Sequence, residues 1–231
     1  MDIKYLAIEK DTALHERESA FWQSRKISSV HVSAMCEGIK QAAREQFLYI
    51  GINSNNIKNY MSMLKLLRGV THAPIFVSTT TFTAQEQAEA VSNGADLFAP
   101  IGETPSHNYD SIMACINRLN ERAKQPKPDI ELVTYKDILI VPSHHRAFII
   151  DEEIRLSKNE MDILYHLTTN RGKILSHEQL YEKLTNTHET NALSADNIYA
   201  TVKRLRKKMK EVSQVEYIET VRDVGYRLIT T

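Results

Sequence analysis

Residues 195–210 read ADNIYATVKRLRKKMK and hold six Lys or Arg (Lys203, Arg204, Arg206, Lys207, Lys208, Lys210) against one acid, Asp196. Ile198, Val202, Leu205 and Met209 recur at i, i+4, i+7 and i+11, so they form the apolar stripe of a helix. The other faces carry Asn197, Ala200, Thr201, Lys203, Arg204, Lys207 and Lys208. Such a helix fits the major groove of DNA. There Arg pairs with guanine and Asn with adenine, while lysines neutralise phosphates without reading sequence. The bland alternative is a solvated helix whose charges only keep the protein soluble. Elsewhere, the strand-tip residues with reactive side chains are Glu9, Lys10, Asp11 and Thr79, and they compose no familiar catalytic set. Residues 47–56, FLYIGINSNN, end an apolar run in small polar residues with no acid, base or strong nucleophile. His144-His145 has no acid or cysteine beside it to complete a metal site. Cys36 and Cys115 make no metal or disulfide pattern and are expected as buried thiols in a reduced compartment.

The elements that must position these residues fall into two halves. A chain of 231 residues, 42% apolar, supports one large domain or two small ones. Its formal net charge of zero argues against a nucleic-acid partner until the basic helix is set apart from the average. No apolar run approaches the roughly 18 residues of a membrane helix. The start, MDIKYLAIEKD, has no apolar h-region, so a cytoplasmic protein is expected. Gln125-Pro126-Lys127-Pro128-Asp129 punctuates the chain, because two prolines two apart stop a helix and stiffen a link. The expected domains are therefore 1–124 and 130–231, with 125–129 as linker.

Before the break, strands alternate with helices. The strands are expected at Ile3–Ile8, Val30–Val32, Phe47–Ile52, Pro74–Ser78 and Asp96–Pro100. The helices are expected at Thr12–Lys26, Ala34–Glu45, Tyr60–Arg68, Ala84–Ser92 and Tyr109–Lys124. That order predicts an α/β fold, a five-stranded parallel doubly wound sheet with its site at the strands' C-terminal ends. After the break come four short strands, then a helix opened by Ser157 with Glu160 three residues on, a capping-box spacing. A second helix is capped by Ser176 and carries Leu180, Tyr181 and Leu184. The polar loop TNTHETNALS and the basic helix follow. A hairpin with Gly225 in its turn, Arg222-Asp223-Val224-Gly225, completes an α+β winged helix-turn-helix.

The runs LSKNEMDILYHLTTNRGKILSHEQLYEKL, IYATVKRLRKKMK and YIETVRDVGYRL resemble the effector domain of OmpR/PhoB-type response regulators. The stretch HAPIFVSTTTFTAQEQAEAVSNGADLF resembles part of a receiver domain. The resemblance implies a sequence-specific transcription regulator with residues 195–210 as recognition helix. By position, Asn197, Ala200 and Arg204 would face bases, and Lys203, Arg206 and Lys207 the DNA backbone. Arg222 would enter the minor groove from the wing, and His177 would meet a phosphate. Asp223 stands where glycine is usual, which puts the wing contact in doubt.

The resemblance also implies a phosphoacceptor site, and this sequence departs from it. Lys10 replaces one member of the acidic pair around Glu9 and Asp11. The acceptor position falls on Gly51, or on Asn53 if the register slips by two, and neither forms an acyl phosphate. Thr79 keeps the hydroxyl, while Ile101 replaces the lysine. The expectation is an atypical receiver that works without aspartyl phosphorylation, with no catalytic residue, metal or cofactor, and no enzyme activity. Lys10 could stand in for the metal between Glu9 and Asp11, or simply face solvent. Expected partners are double-stranded DNA, a second copy through the fourth-helix, fifth-strand and fifth-helix face (where Gln87 and Cys115 replace basic residues and Asp96 remains), and RNA polymerase. The alternatives are phosphorylation on a non-standard acceptor, and an α/β enzyme domain fused to a DNA-binding module.

Overall fold

The computed structural model describes residues 3–55, 57–101, 109–119, 130–185 and 195–229. It divides into two compact units, Met1–Ile130 and Glu131–Thr231. The proline-bearing stretch 125–129, the end of the fifth helix beyond 119 and the loop 186–194 lie outside the described residues.

In the first unit, β1 (Lys4–Ile8), β2 (Ser28–Val32), β3 (Ile50–Asn53), β4 (Ile75–Thr79) and β5 (Leu97–Pro100) form one parallel sheet in the order β2-β1-β3-β4-β5. It alternates with α1 (Thr12–Gln23), α2 (Met35–Arg44), α3 (Tyr60–Arg68), α4 (Ala84–Ser92) and α5 (Tyr109–Leu119). The apolar runs of β1, β3 and β4 are buried because helices cover both faces of such a sheet. Asp11 caps α1 by accepting from the Leu14 amide at 3.0 Å, and Thr83 caps α4 through the Glu86 amide. Gly94, at φ 113°, ends α4 in a conformation that L side chains resist.

The third strand starts later than its apolar run. Leu48 and Tyr49 still exchange backbone hydrogen bonds with Lys4 and Leu6, but the ladder proper runs Ile50–Asn53. The pairs Ile8↔Ile52 and Asn53↔Ser78 put Asn53, not Gly51, at the strand's C-terminal tip. Gly51 sits mid-ladder between Ala7 and Phe76.

In the second unit, β6 (Val133–Tyr135), β7 (Ile138–Val141), β8 (Arg146–Ile149) and β9 (Glu152–Ile154) form an antiparallel sheet. Helices α6 (Lys158–Thr169), α7 (His177–Thr185) and α8 (Ala195–Val212) follow, with β10 (Leu175–Ser176) before α7. A hairpin of β11 (Ile218–Val221) and β12 (Gly225–Leu228) closes the unit, and β10 pairs with β12. One core joins Leu164 and Leu167 of α6, Leu180 and Leu184 of α7, the Ile198–Val202–Leu205–Met209 stripe of α8, and Tyr226 and Leu228 of β12. Both helix caps form: Ser157 and Glu160 close a capping box, and Ser176 does the same with Gln179. Tyr181 of α7 is exposed beside the buried Leu180 and Leu184. One local expectation changes. Gly225 belongs to β12, and the left-handed residue of the turn is Asp223 at φ 58°, a conformation that a short polar side chain tolerates.

Candidate nucleic-acid interface and the pocket at the sheet tip

The apolar stripe of α8 is pinned in the core, so the opposite side of the helix is left at the surface. Asn197, Lys203, Arg204 and Lys207 are exposed there, and Ala200 is half-buried. Lys203 and Lys207 are the unpaired cations of this face among the described residues; the others are engaged. Arg204 Nη2 donates to Thr201 Oγ1 at 3.0 Å, and its Nε lies 3.7 Å from Glu160 Oε1. Lys208 Nζ reaches Glu160 Oε2 at 2.6 Å and the Arg155 carbonyl at 2.9 Å. Lys210 pairs with Glu216 at 2.8 Å.

Two members of the expected set are structural. Thr201 is 2% exposed and donates its hydroxyl to the Asn197 carbonyl at 2.7 Å, so it orients Arg204 instead of facing DNA. Arg206 is half-buried and donates to the Ile218 carbonyl at 3.1 and 2.8 Å and to Thr220 Oγ1 at 2.8 Å. It ties α8 to the first hairpin strand, which takes it from the phosphate-binding set. Arg222 and Asp223 are exposed at the wing tip, and half-buried His177 meets the Tyr226 ring edge-on at 5.3 Å. The sequence also missed Tyr199, 60% exposed beside Lys203.

Glu160 is the residue that organises this surface. It is 1% exposed, accepts from the Ser157 amide at 2.7 Å, and faces two cations of α8. Burial alone would push its carboxyl up. The hydrogen bonds from Lys208 and Ser157 outweigh that and hold it below the usual carboxylate range.

This geometry puts a cationic helix, a short helix before it and a β-hairpin in one winged unit, and residues 151–228 match the family described as "Transcriptional regulatory protein, C terminal". The chain is also 24% identical over 168 residues to the response regulator ArlR of Staphylococcus epidermidis, covering 73% of this chain and 72% of that protein. It is 28% identical over 173 residues to the transcriptional regulatory protein CiaR of Streptococcus pneumoniae, covering 74% and 73%. Residues 151–228 are thus a transcriptional regulatory C-terminal domain, and the chain is similar to response regulators of the OmpR/PhoB type. Among solved structures, the response regulator DrrB of Thermotoga maritima aligns over 99% of each chain at 20% identity, with a TM-score of 0.42. The regulator is a DNA-binding transcription factor with an N-terminal receiver-like sheet and a C-terminal winged helix domain.

The regulator's receiver-like pocket is built differently from a phosphoryl-accepting one. Asn53, 6% exposed, turns its Oδ1 to the Asn55 amide at 3.1 Å and to Asn55 Nδ2 at 2.8 Å. Asn55 Oδ1 in turn accepts from the Thr80 amide at 3.1 Å and its hydroxyl at 2.8 Å. Thr79 Oγ1 donates to the Thr81 carbonyl at 3.1 Å inside its own turn. Ile101 continues the β4–β5 ladder by donating its amide to the Thr79 carbonyl at 2.8 Å, with an apolar side chain. Lys10 is exposed and pairs with neither Glu9 nor Asp11, so it does not occupy a metal's place.

Glu9 is buried instead beside His15, with Oε1 3.3 Å from Nδ1. Burial, then the negative charges of Asp11 and Glu18, push its carboxyl up to about 7. Magnesium seeks several hard oxygens in octahedral array. Here one acid is turned to a histidine, the next caps a helix and the strand tip carries an amide, so this set does not fit that ion. A cavity of about 70 Å³ lies beneath the tip, lined by Tyr5, Glu9, Tyr49, Gly51, Asn53 and Phe76 among others. Above it, Asp11, Arg17, Asn55, Thr80 and Ile101 line an open depression.

Proposed function

We propose that the regulator acts on DNA without aspartyl phosphorylation. The observation that carries this reading is Asn53. An amide nitrogen replaces the nucleophilic oxygen at the strand tip, and its carbonyl is already spent in the Asn53–Asn55–Thr80 network. That network links the β3 and β4 tips directly, the two places that a transferred phosphoryl group would have to bridge. Incubation with acetyl phosphate and Mg²⁺, followed by intact mass measurement, is expected to leave the mass unchanged. A stoichiometric gain of one phosphoryl group would overturn the reading.

For DNA, we propose that Asn197, Ala200 and Arg204 face bases, that Lys203, Lys207 and His177 meet phosphates, and that Arg222 reaches the minor groove. Arg204→Ala is expected to cost about 1–3 kcal/mol on a selected site and to relax its sequence preference. Lys207→Ala should instead weaken every sequence alike and reduce the slope of log K against log salt by about one. Fluorescence anisotropy across a salt series separates the two.

We propose further that the protein is cytoplasmic, is not an enzyme, contacts RNA polymerase, and pairs as a homodimer through the receiver-like unit. No described helix is long and apolar enough to cross a membrane. Asp96, expected on the dimer face, has a side chain only 8% exposed and spends its carboxylate on Arg68 and on the Ile75 amide at 2.9 Å. Phe82 and Val91, 44% and 50% exposed, leave apolar surface at and beside α4 for a partner copy. Sedimentation at micromolar concentration without any phosphodonor tests for that dimer.

A further inference from the structure

We propose that Glu9, His15 and His31 form a site for a divalent transition metal ion of the Zn²⁺ class, at the β1–β2 side of the receiver-like sheet. The proposal does not depend on how α8 meets DNA or on whether the protein is phosphorylated.

Three elements converge there. Glu9 follows β1, and its amide donates to the Val32 carbonyl at 2.9 Å, so the register carries it to the end of β2. His31 lies on β2 and places Nε2 2.9 Å from the Glu9 carbonyl oxygen. His15 lies one turn into α1, its amide donating to the carbonyl of the Asp11 cap at 3.0 Å. One ligand atom from each residue falls within 4.8 Å of the other two. His15 Nδ1 is buried and makes no hydrogen bond of good geometry, its polar neighbour being Glu9 Oε1 at 3.3 Å. Glu9 and His15 are largely enclosed, with side-chain exposures of 8% and 16%, whereas His31 is exposed and offers an ion its way in.

Two imidazoles and one carboxylate select borderline ions over Mg²⁺ or Ca²⁺, which favour all-oxygen sites. Three protein ligands also leave a position for water or a further ligand.

The rings set a condition. An imidazole lone pair lies in the ring plane, and the two rings stack in parallel, 4.1 Å apart at 11°. Both planes cannot hold one ion until a ring turns about its Cβ–Cγ bond. His31 is the ring that turns, being exposed and held, besides its stack on His15, through one polar contact to the Glu9 carbonyl. Metal bonds of roughly 2.0–2.2 Å then draw the His31 nitrogen in by about 1 Å, while Glu9 Oε1 and His15 Nδ1, 3.3 Å apart, already stand at the spacing of two ligands on one ion. Without metal the same rings stack and the Glu9 carboxylate lies 3.3 Å from His15 Nδ1. When bound, the ion ties β1, β2 and α1 together beside the strand tip.

The test uses the full chain after chelator treatment, titrated with Zn²⁺ by calorimetry and with Co²⁺ by visible absorption. One equivalent is expected to bind, with the d–d bands of low-coordinate Co²⁺, a raised unfolding temperature in Zn²⁺, and no displacement by excess Mg²⁺. His31→Ala changes an exposed side chain and should leave the fold intact while weakening binding at least about tenfold, with His15→Gln behaving alike. The double variant His144→Ala/His145→Ala should bind as the parent does. Absence of saturable binding, a His31→Ala protein that binds unchanged, or loss of binding only in the His144/His145 variant would each overturn the proposal.

Discussion

Gly225→Ala is expected to destabilise the C-terminal unit by about 3 kcal/mol or more, at the top of the range for single substitutions. Ser176 lies opposite Gly225 in the β10–β12 ladder. A Cβ built on Gly225 would sit 2.0 Å from the Leu175 carbonyl oxygen and 2.8 Å from both the Leu175 carbonyl carbon and Ser176 Cα. All three are backbone atoms, so no side chain can swing aside. Relief requires β10 and β12 to part, which releases the start of α7 and the wing together. A unit of about 100 residues loses roughly 4–8 °C per kcal/mol, so the melting temperature should fall by well over 10 °C and DNA binding with it. Gly51→Ala is the contrasting control. Its Cβ would meet Tyr49 Cε2 at 3.4 Å and the Leu6 carbonyl oxygen at 4.0 Å, ordinary packing distances. A melt in which both variants fall equally would refute the account.

Glu160→Ala should lower stability by about 2–4 kcal/mol, because one side chain serves two ends of the unit. It closes the capping box at the start of α6, and it neutralises Lys208 and Arg204 of α8. Its loss leaves Lys208 facing an emptied, largely buried site. The effect carries a pH signature. The folded carboxyl is held below its unfolded value, so its contribution is present above about pH 4.5, the unfolded value, and is lost as pH falls through the folded one. Urea midpoints for the parent and for Glu160→Gln should therefore differ at pH 7 and converge toward pH 3. A difference independent of pH would mean that the cap geometry, not the charge, is what Glu160 supplies. The same variants free Arg204 from its carboxylate, so anisotropy on a selected site also reads how far Glu160 positions the guanidinium.

The alternation of short apolar runs with amphipathic stretches was enough to read the parallel sheet, because a strand covered on both faces must be apolar throughout. The period of Ile198, Val202, Leu205 and Met209 was enough to say which stripe of α8 is buried, and Ser157 with Glu160 announced a cap. These are local facts, written within a few residues of one another. The end of the third strand was legible only to within two residues, because apolar residues before the ladder look like the strand itself. The pairing of β3 with β1 and β4 placed Asn53 at the tip.

Tertiary structure alone decided which cations of α8 remain available. Arg206 is spent on Ile218 and Thr220, and Lys208 on Glu160, contacts 12 to 48 residues apart in the chain. It likewise brought His31 of β2 over His15 of α1 and against Glu9. Periodicity reports how polar a face is, not what stands opposite it. The partner of each charged or close-packed residue is set by sheet register and helix packing, which join segments whose sequences carry no mark of one another.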